Sequence, residues 1–394
     1  MRFSRRRLLL GAGATLAAGA LPSAVLAGSR SRYPGIQPIP ISMDHITGVT
    51  VCTRPFRANG PRIDIERIGQ QDVVHHYGHG GSGWSLSWGS GELASQLALG
   101  TGQRDIGVIG CGAIGLTTAL QLQRMGASQV TIYARETPPD VRSSWATGGW
   151  TPDSRICLES GATPEFRQRW QRMARRSWHL YQGMLGLAGE PVGFVEAYSL
   201  SDKPPTASGE PEDAIAPDDG RPRFAKLARE LIPEINFPAA EIDPSATPFV
   251  APYVRRRPRL TFSIGILSRV LLAEFRSAGG RLVIDEFHSP ADFGRLPHRT
   301  LVNATGYGAR ALLGDESLVP VKGQLARLMP APGAFYGLNY RRVSLTTRHD
   351  ISVLQAQGVD GNTYEGFNDA STDADMAVTE FAVKTLASAY RTRA

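Results

Sequence analysis

Six residues, Gly110-Cys111-Gly112-Ala113-Ile114-Gly115, constrain this 394-residue chain more than any other stretch. They follow an apolar run, Ile106-Gly107-Val108-Ile109, and open a helical pattern from Ala113 to Met125. A second apolar run, Val130 to Tyr133, comes next. Strand, glycine turn, helix and strand together make a β-α-β unit with a parallel sheet. The glycines allow a tight turn, and the helix start presents N–H groups to an anion such as a pyrophosphate. Glu136 lies 21 residues past Gly115, where an acid would take ribose hydroxyls. Its neighbour Arg135 could instead suit a 2′-phosphate, a reading that two further motifs argue against.

The first is Asn303-Ala304-Thr305-Gly306-Tyr307-Gly308-Ala309, followed later by Pro320-Val321-Lys322-Gly323-Gln324. The second is Val74-His75-His76-Tyr77-Gly78-His79-Gly80-Gly81-Ser82-Gly83-Trp84-Ser85, with Arg54-Pro55-Phe56-Arg57 upstream. Residues from Tyr133-Ala134-Arg135-Glu136 through Thr147-Gly148-Gly149-Trp150 add a third island. Together these segments resemble the D-amino acid oxidase family of FAD enzymes. The order differs from the family's. Here the Arg-Pro and Tyr-Gly-His-Gly-Gly segments precede the glycine turn, whereas in the family they close the chain. The arrangement reads as a circular permutation, with Gly100 to Arg104 joining the old ends. Cutting a compact domain in a surface loop leaves the fold intact.

The resemblance implies a Rossmann-type FAD-binding domain interleaved with a mixed-sheet α+β substrate domain. The FAD-binding parts are expected at about 74–150 and 261–328, and the substrate parts at about 48–73, 151–260 and 329–394. It implies a cofactor site of Gly110, Gly112, Ala113, Ile114, Gly115, Arg135, Glu136, Thr147, Gly148, Gly149, Trp150, Thr305 and Gly306. The segment Gly80, Gly81, Ser82, Gly83, Trp84 and Ser85 would approach the flavin ring, where a side chain would obstruct. Ser85 would bond the flavin, and the Gly81 carbonyl would accept from a substrate amine. Arg54 would grip a substrate carboxylate with two parallel bonds, unless it pairs with Asp64 or Glu66 instead. Tyr340, four residues past Tyr336, would offer a hydroxyl to the same carboxylate, with a core tyrosine as the rival reading. Arg57 and the histidines His75, His76 and His79 read as structural, with no acid or cysteine at metal-ligand spacing beside them. Gln355-Ala356 stands where the family has a glycine pair, a departure that bears on pocket or activity.

The implied reaction is oxidation of a D-amino acid to an imino acid, which yields a keto acid and ammonia. Oxygen as acceptor would give hydrogen peroxide. Two rivals stay open: a sarcosine/glycine-type amine oxidase or quinone-linked dehydrogenase, and an inactive flavin-binding protein.

The rest of the chain sets context. Met1 to Ala27 combines Arg5-Arg6-Arg7, a short apolar middle and a small-residue exit, the pattern of a twin-arginine signal peptide. It predicts recognition by the twin-arginine export machinery, a periplasmic or secreted location and no retained span. Residues 28–47 read as a linker. Four arginines in this leader account for much of the formal +7, so the charge carries no case for nucleic acid. Three cysteines, Cys52, Cys111 and Cys157, are too few for a disulfide framework. A small-molecule amino acid is the expected partner, and a homo-oligomer stays open. A short helix is predicted from Gly91 to Leu99, others over 164–188, 261–278 and 374–390, and a surface loop over 203–223.

Overall fold

The structure, a computed structural model, describes residues 36–204, 221–357 and 366–391. The leader, most of the expected linker and the centre of the 203–223 loop lie outside the described residues. In chain order the strands and helices are β1 (Ile46–Phe56), β2 (Arg62–Ile68), β3 (Gln71–Tyr77), α1 (Gly83–Gly100), β4 (Asp105–Ile109), α2 (Ala113–Arg124) and β5 (Gln129–Ala134). There follow α3 (Pro164–Gln182), β6 (Val192–Ser201), α4 (Ala228–Leu231), β7 (Ala240–Ile242), β8 (Tyr253–Phe262), α5 (Ile264–Ser277), β9 (Arg281–Ile284) and β10 (Thr300–Asn303). The chain closes with α6 (Ala309–Leu313), β11 (Val319–Leu328), β12 (Tyr336–Tyr340), β13 (Val343–Thr347), β14 (Ser352–Ala356) and α7 (Met376–Ala387).

Two sheets organise the α/β fold. The first has six strands in the order β2-β3-β10-β4-β5-β9, parallel except for the β2–β3 hairpin. Its central strands are short and apolar and have helices on their faces, the usual state of a parallel sheet. Ile106, Val108, Val130, Ile132 and Val302 form one core with Leu116, Leu120, Leu267 and Leu271 of α2 and α5. The second sheet has eight strands in the order β1-β11-β14-β13-β12-β6-β8-β7, with only β12 and β6 parallel. Its core joins Leu328, Leu338, Leu345 and Leu354 to Ala382, Val383 and Leu386 of α7.

Sheet membership corrects the expected boundaries. Strands β2 and β3 belong to the nucleotide-side sheet, so the division falls in the Phe56–Arg62 link and not near residue 73. Strand β11, expected on the FAD-binding side, pairs with β1 along its whole length in the other sheet. The chain therefore crosses between sheets at both places.

Helix α1 begins eight residues before the predicted Gly91. Its first half, Gly-Trp-Ser-Leu-Ser-Trp-Gly-Ser, has weak intrinsic helix preference. Tertiary packing overrides it: Ser87, Ser90 and Ser95 are fully buried, and Ser90 Oγ donates to the Leu86 carbonyl at 2.9 Å. At Gly89 a β-carbon would overlap the Met173 backbone, so glycine permits the close crossing of α1 and α3. Helix α3 opens on Thr163, whose hydroxyl accepts from Phe166 N–H at 3.2 Å, with Pro164 in its first turn. No helix of the described residues is long and apolar enough to cross a membrane.

Candidate active site

One large cleft, about 1890 Å³, lies between the two sheets and gathers nearly every residue singled out from sequence. It exceeds the roughly 300–1,000 Å³ of a single small-ligand site, as a dinucleotide plus a substrate would require.

The glycine turn forms one end. Gly110 follows β4 with φ +112, a conformation that disfavours side chains, and a β-carbon there would meet the Ala304 carbonyl oxygen at 2.5 Å. A β-carbon at Gly115 would overlap the Gly110 carbonyl oxygen. These two glycines let β4, β10 and α2 converge. Gly112, Ala113 and Ile114 line the cleft at the start of α2, and Ala113 N–H donates to Ser143 Oγ at 2.9 Å. Glu136 follows β5 and lines the cleft, held by Arg135 at 3.0 Å, which also bonds Glu286. The bond to Glu286, with the Glu136 carboxylate beside it, raises the Arg135 pKa. Thr305 follows β10, its hydroxyl donating to Asn303 Oδ1 at 2.8 Å, and Gly306 takes φ +61.

Thr147, Gly148, Gly149 and Trp150 line the next part. Gly148 has φ +83, and a β-carbon there would meet the Phe262 carbonyl oxygen at 2.6 Å. Arg348, 6% exposed, fixes this segment by donating to the Ala146 carbonyl at 2.9 Å and pairing with Asp350 at 2.9 Å. Asp350 in turn accepts from Gly265 N–H at the start of α5 at 2.8 Å. Sequence reasoning did not single out Arg348, because its role depends on a hairpin turn between β13 and β14 meeting a distant loop. Ser143 was missed likewise.

The Gly80–Ser85 turn is placed against the cleft, with one correction. Gly80 (φ +56) and Gly81 were expected to be glycine so that a flavin could approach. Instead the β-carbon direction at Gly80 is filled by the Arg155 carbonyl, and at Gly81 by Ser154 Oγ at 2.5 Å. Close protein packing requires these two glycines. Gly81 N–H donates to the Ser154 carbonyl at 2.9 Å, and Gly80 N–H to the Pro55 carbonyl at 2.8 Å. Gly83 has nothing within 4 Å of its β-carbon position and lines the cleft. Ser82 is buried and bonds the Ser154 carbonyl at 3.1 Å. Trp84 donates to the Ser143 carbonyl at 2.8 Å, and Ser85 Oγ accepts from Thr151 N–H at 2.8 Å.

Arg54, on β1, lines the cleft and donates to the Lys322 carbonyl at 3.1 Å. Its head occupies the space over Gly323 where a β-carbon would stand. Asp64 and Glu66, the rival partners, both pair with Arg62, so Arg54 has no carboxylate partner among the described residues. Tyr340 lines the cleft, but its hydroxyl donates to Asp202 at 2.9 Å and the tyrosine is 3% exposed. That bond corrects the expectation that Tyr340 offers its proton to a substrate. Tyr336 lies elsewhere, bonded to the Gln37 carbonyl and Tyr390. Gln355 lines the cleft.

His75 bonds Glu66 and Asn303, His76 bonds Thr118, and His79 bonds Ser90. Burial lowers all three pKa values, and that of His79 falls to about 3. A histidine kept neutral in the fold charges only when the chain unfolds. Its effect is absent above the unfolded pKa near 6.5, and stability falls as pH drops from there towards the folded value. At pH 5 the cost from His79 is about 2 kcal/mol, with His76 acting in the same direction. Urea unfolding midpoints should fall between pH 7.5 and 5, and His79→Gln should flatten the decline; an unchanged slope would refute the assignment.

These features meet the requirements of a dinucleotide: a glycine cradle that side chains would close, a helix start facing the cleft, and an acid after the next strand. The family model described as FAD dependent oxidoreductase, DAO, matches residues 105–393. The chain belongs to this family. Its cofactor is therefore FAD, and the chain is an FAD-dependent oxidoreductase. A D-amino-acid oxidase of Rubrobacter xylanophilus is 28% identical over 223 residues, covering 56% of this chain and 58% of that protein. A D-aspartate oxidase of Talaromyces thermophilus is 44% identical over 52 residues, 13% of this chain and 14% of that one. The chain thus matches less than two thirds of either relative's length. Among solved structures, glycine oxidase from Geobacillus kaustophilus shares 16% identity, with a TM-score of 0.49 over 73% of this chain and 78% of that one.

Proposed function

We propose that this FAD-dependent oxidoreductase oxidises a D-amino acid at its α-carbon. The observation that carries the reading is Arg54, a guanidinium facing the cleft beside the Gly80–Ser85 turn with no carboxylate partner among the described residues. A substrate carboxylate supplies the missing anion, and two parallel bonds to the planar guanidinium orient the α-carbon. The Gly81 carbonyl accepts from the amine. Gly110, Gly112, Ala113 and Ile114 would hold the pyrophosphate, with Gly115 packing α2 behind them; Glu136 would take the ribose, and Arg135 steadies Glu136. Thr147 to Trp150, Thr305, Gly306 and the Gly83–Ser85 backbone enclose the rest of the cofactor. When bound, FAD supplies the two-electron acceptor. The amino acid loses two electrons and two protons to become an imino acid, and water converts that to a keto acid and ammonia. Oxygen takes up the electrons and protons as hydrogen peroxide.

Two further parts of the proposal concern the chain's history and location. The segment ahead of the family match enters both sheets, β1 beside β11 and β3 beside β10. That placement supports a circular permutation in which the Gly100–Arg104 link joins former ends. The arginine-rich leader supports export by the twin-arginine route to the periplasm or beyond.

The test is anaerobic reduction. D-amino acids should bleach the flavin absorbance of the purified protein and L-amino acids should not. A yellow protein bleached by neither would refute the oxidase reading and leave flavin binding. Bleaching by N-methylglycine, or reoxidation only by quinone analogues, would favour the amine-oxidase or dehydrogenase alternatives.

A further inference from the structure

Strand β8 carries arginine at every second position, Arg255, Arg257 and Arg259, and all three line the cleft. Alternate residues of a strand share a face. Arg256, between them, pairs with Glu196 at 3.3 Å. Arg259 differs from its neighbours in how it is seated. Its guanidinium lies where the β-carbon of residue 149 would stand. Gly149 does not have a left-handed φ, so the backbone does not demand glycine there; the arginine head does. Among the described residues Arg259 has no hydrogen-bond or ion-pair partner. Burial, with Arg257 nearby, lowers its pKa to about 10, which still leaves it cationic at neutral pH. Arg259 is half-buried in the cleft wall with no anion beside it among the described residues, so an anionic ligand there would meet a cation only partly screened by water.

Its position relative to Arg54 follows from the backbone. Thr151 N–H bonds Ser85 and the Ser154 carbonyl bonds Gly81 N–H, so residues 149–154 run alongside the Gly80–Ser85 turn. Arg259 stands at the Gly149 end. Arg54 stands at the other, next to Pro55, whose carbonyl holds Gly80 N–H. A second basic feature faces the same space. The two-residue turn between β12 and β13 is Arg341-Arg342, with φ 44 and 63, where Asn-Gly would be unstrained. Both arginines line the cleft. Arg341 pairs with Asp202 and Arg342 donates to the Gln357 carbonyl, which holds the two in left-handed backbone, a strain that concentrates at ligand sites.

We infer that Arg259 determines specificity by binding an anionic group on the substrate side chain, so that the preferred substrate is a dicarboxylic amino acid. The inference rests on the oxidase reading above: Arg54 takes the α-carboxylate, and Arg259 takes the second carboxylate. D-Aspartate and D-glutamate are the matching chemistry. No electrons or bonds change beyond those of the proposed oxidation.

The test uses the FAD-loaded full chain and its Arg259→Met and Arg259→Lys variants. For each, kcat/KM is measured with D-aspartate, D-glutamate, D-alanine and D-norvaline. The wild type should favour an acidic substrate over D-norvaline by at least about tenfold, and Arg259→Met should lower that ratio by about 100-fold. Arg259→Lys, which keeps the charge but loses the planar fork, should fall between. A second readout needs no turnover: perturbation of the flavin spectrum by succinate and by butyrate. Arg259→Met should weaken succinate by about 100-fold relative to butyrate. Equal loss for acidic and neutral compounds, or loss of bound FAD with no change in the ratio, would overturn the inference and make Arg259 a cofactor or folding residue. If no D-amino acid bleaches the flavin, the oxidase reading fails separately. The succinate-to-butyrate ratio then still decides whether Arg259 is an anion site.

Discussion

Arg54→Met should lower kcat/KM for amino-acid oxidation about a thousandfold while the protein stays yellow. The estimate follows from truncating one partner of a desolvated, hydrogen-bonded ion pair, worth about 2–5 kcal/mol. Both kcat and KM should change, because the guanidinium binds the substrate and also sets the position of the α-carbon. Lysine at 54 should recover only part of the loss, since an ammonium cannot form two parallel bonds to a carboxylate. Gly323 provides an independent route to the same end. A β-carbon there would occupy the space now filled by the Arg54 head, so Gly323→Ala should displace the arginine without removing any charge. It should lower kcat/KM in the same direction by a smaller factor. Stopped-flow reduction under anaerobic conditions separates the two components. A normal reduction rate in Arg54→Met would show that the carboxylate is anchored elsewhere and would remove the central support for the proposed reaction.

A short motif marks Arg54 for the cleft wall, where it stands, and local pattern likewise places most of the glycine turn there. The β4-α2-β5 unit follows from local pattern: an apolar run, three spaced glycines and an amphipathic stretch. Glu136 follows from distance along the chain. What local pattern misses is set by partners far away in sequence. Helix α1 could not be read from Gly83, since its serines and glycines favour a loop until α2 and α3 cover them. The reason for Gly80 and Gly81 was misread for a related cause. Glycine signals a close approach, but only the fold shows that the approaching group is Ser154 and Arg155. Tyr340 shows the limit for polar side chains: Asp202, 138 residues earlier, accepts its hydrogen bond. The alternation Arg255-Arg256-Arg257-Pro258-Arg259 was visible as text. Its meaning required knowing that β8 is a strand and that Gly149 lies beneath it.

The glycine turn should fail in two separable ways. Gly115→Val and Gly110→Ala should each destabilise the protein by roughly 2–4 kcal/mol and abolish FAD retention. At 115 the new β-carbon overlaps the Gly110 carbonyl, which is backbone and cannot rotate aside. At 110 the side chain must adopt φ +112 and also meet the Ala304 carbonyl at 2.5 Å. Either change pushes α2 away from β4 and β10, so the loss should appear in the melting temperature of the flavin-free protein. Gly112→Ala is the contrasting case. Its φ of −76 suits any residue, and the nearest atom to a β-carbon is Ser143 Oγ at 3.2 Å, a side chain that can turn. Gly112→Ala should therefore leave apoprotein stability nearly unchanged, within about 0.5 kcal/mol. Its effect should fall on the flavin dissociation constant, because a methyl group there narrows the approach to the helix start. Melting of apoprotein and flavin titration, measured on all three variants, distinguish a turn needed for packing from a turn needed for the cofactor. If Gly112→Ala binds FAD as tightly as the wild type, the pyrophosphate does not lie against this turn. In that case the cradle at the start of α2 serves only to pack the helix on its sheet.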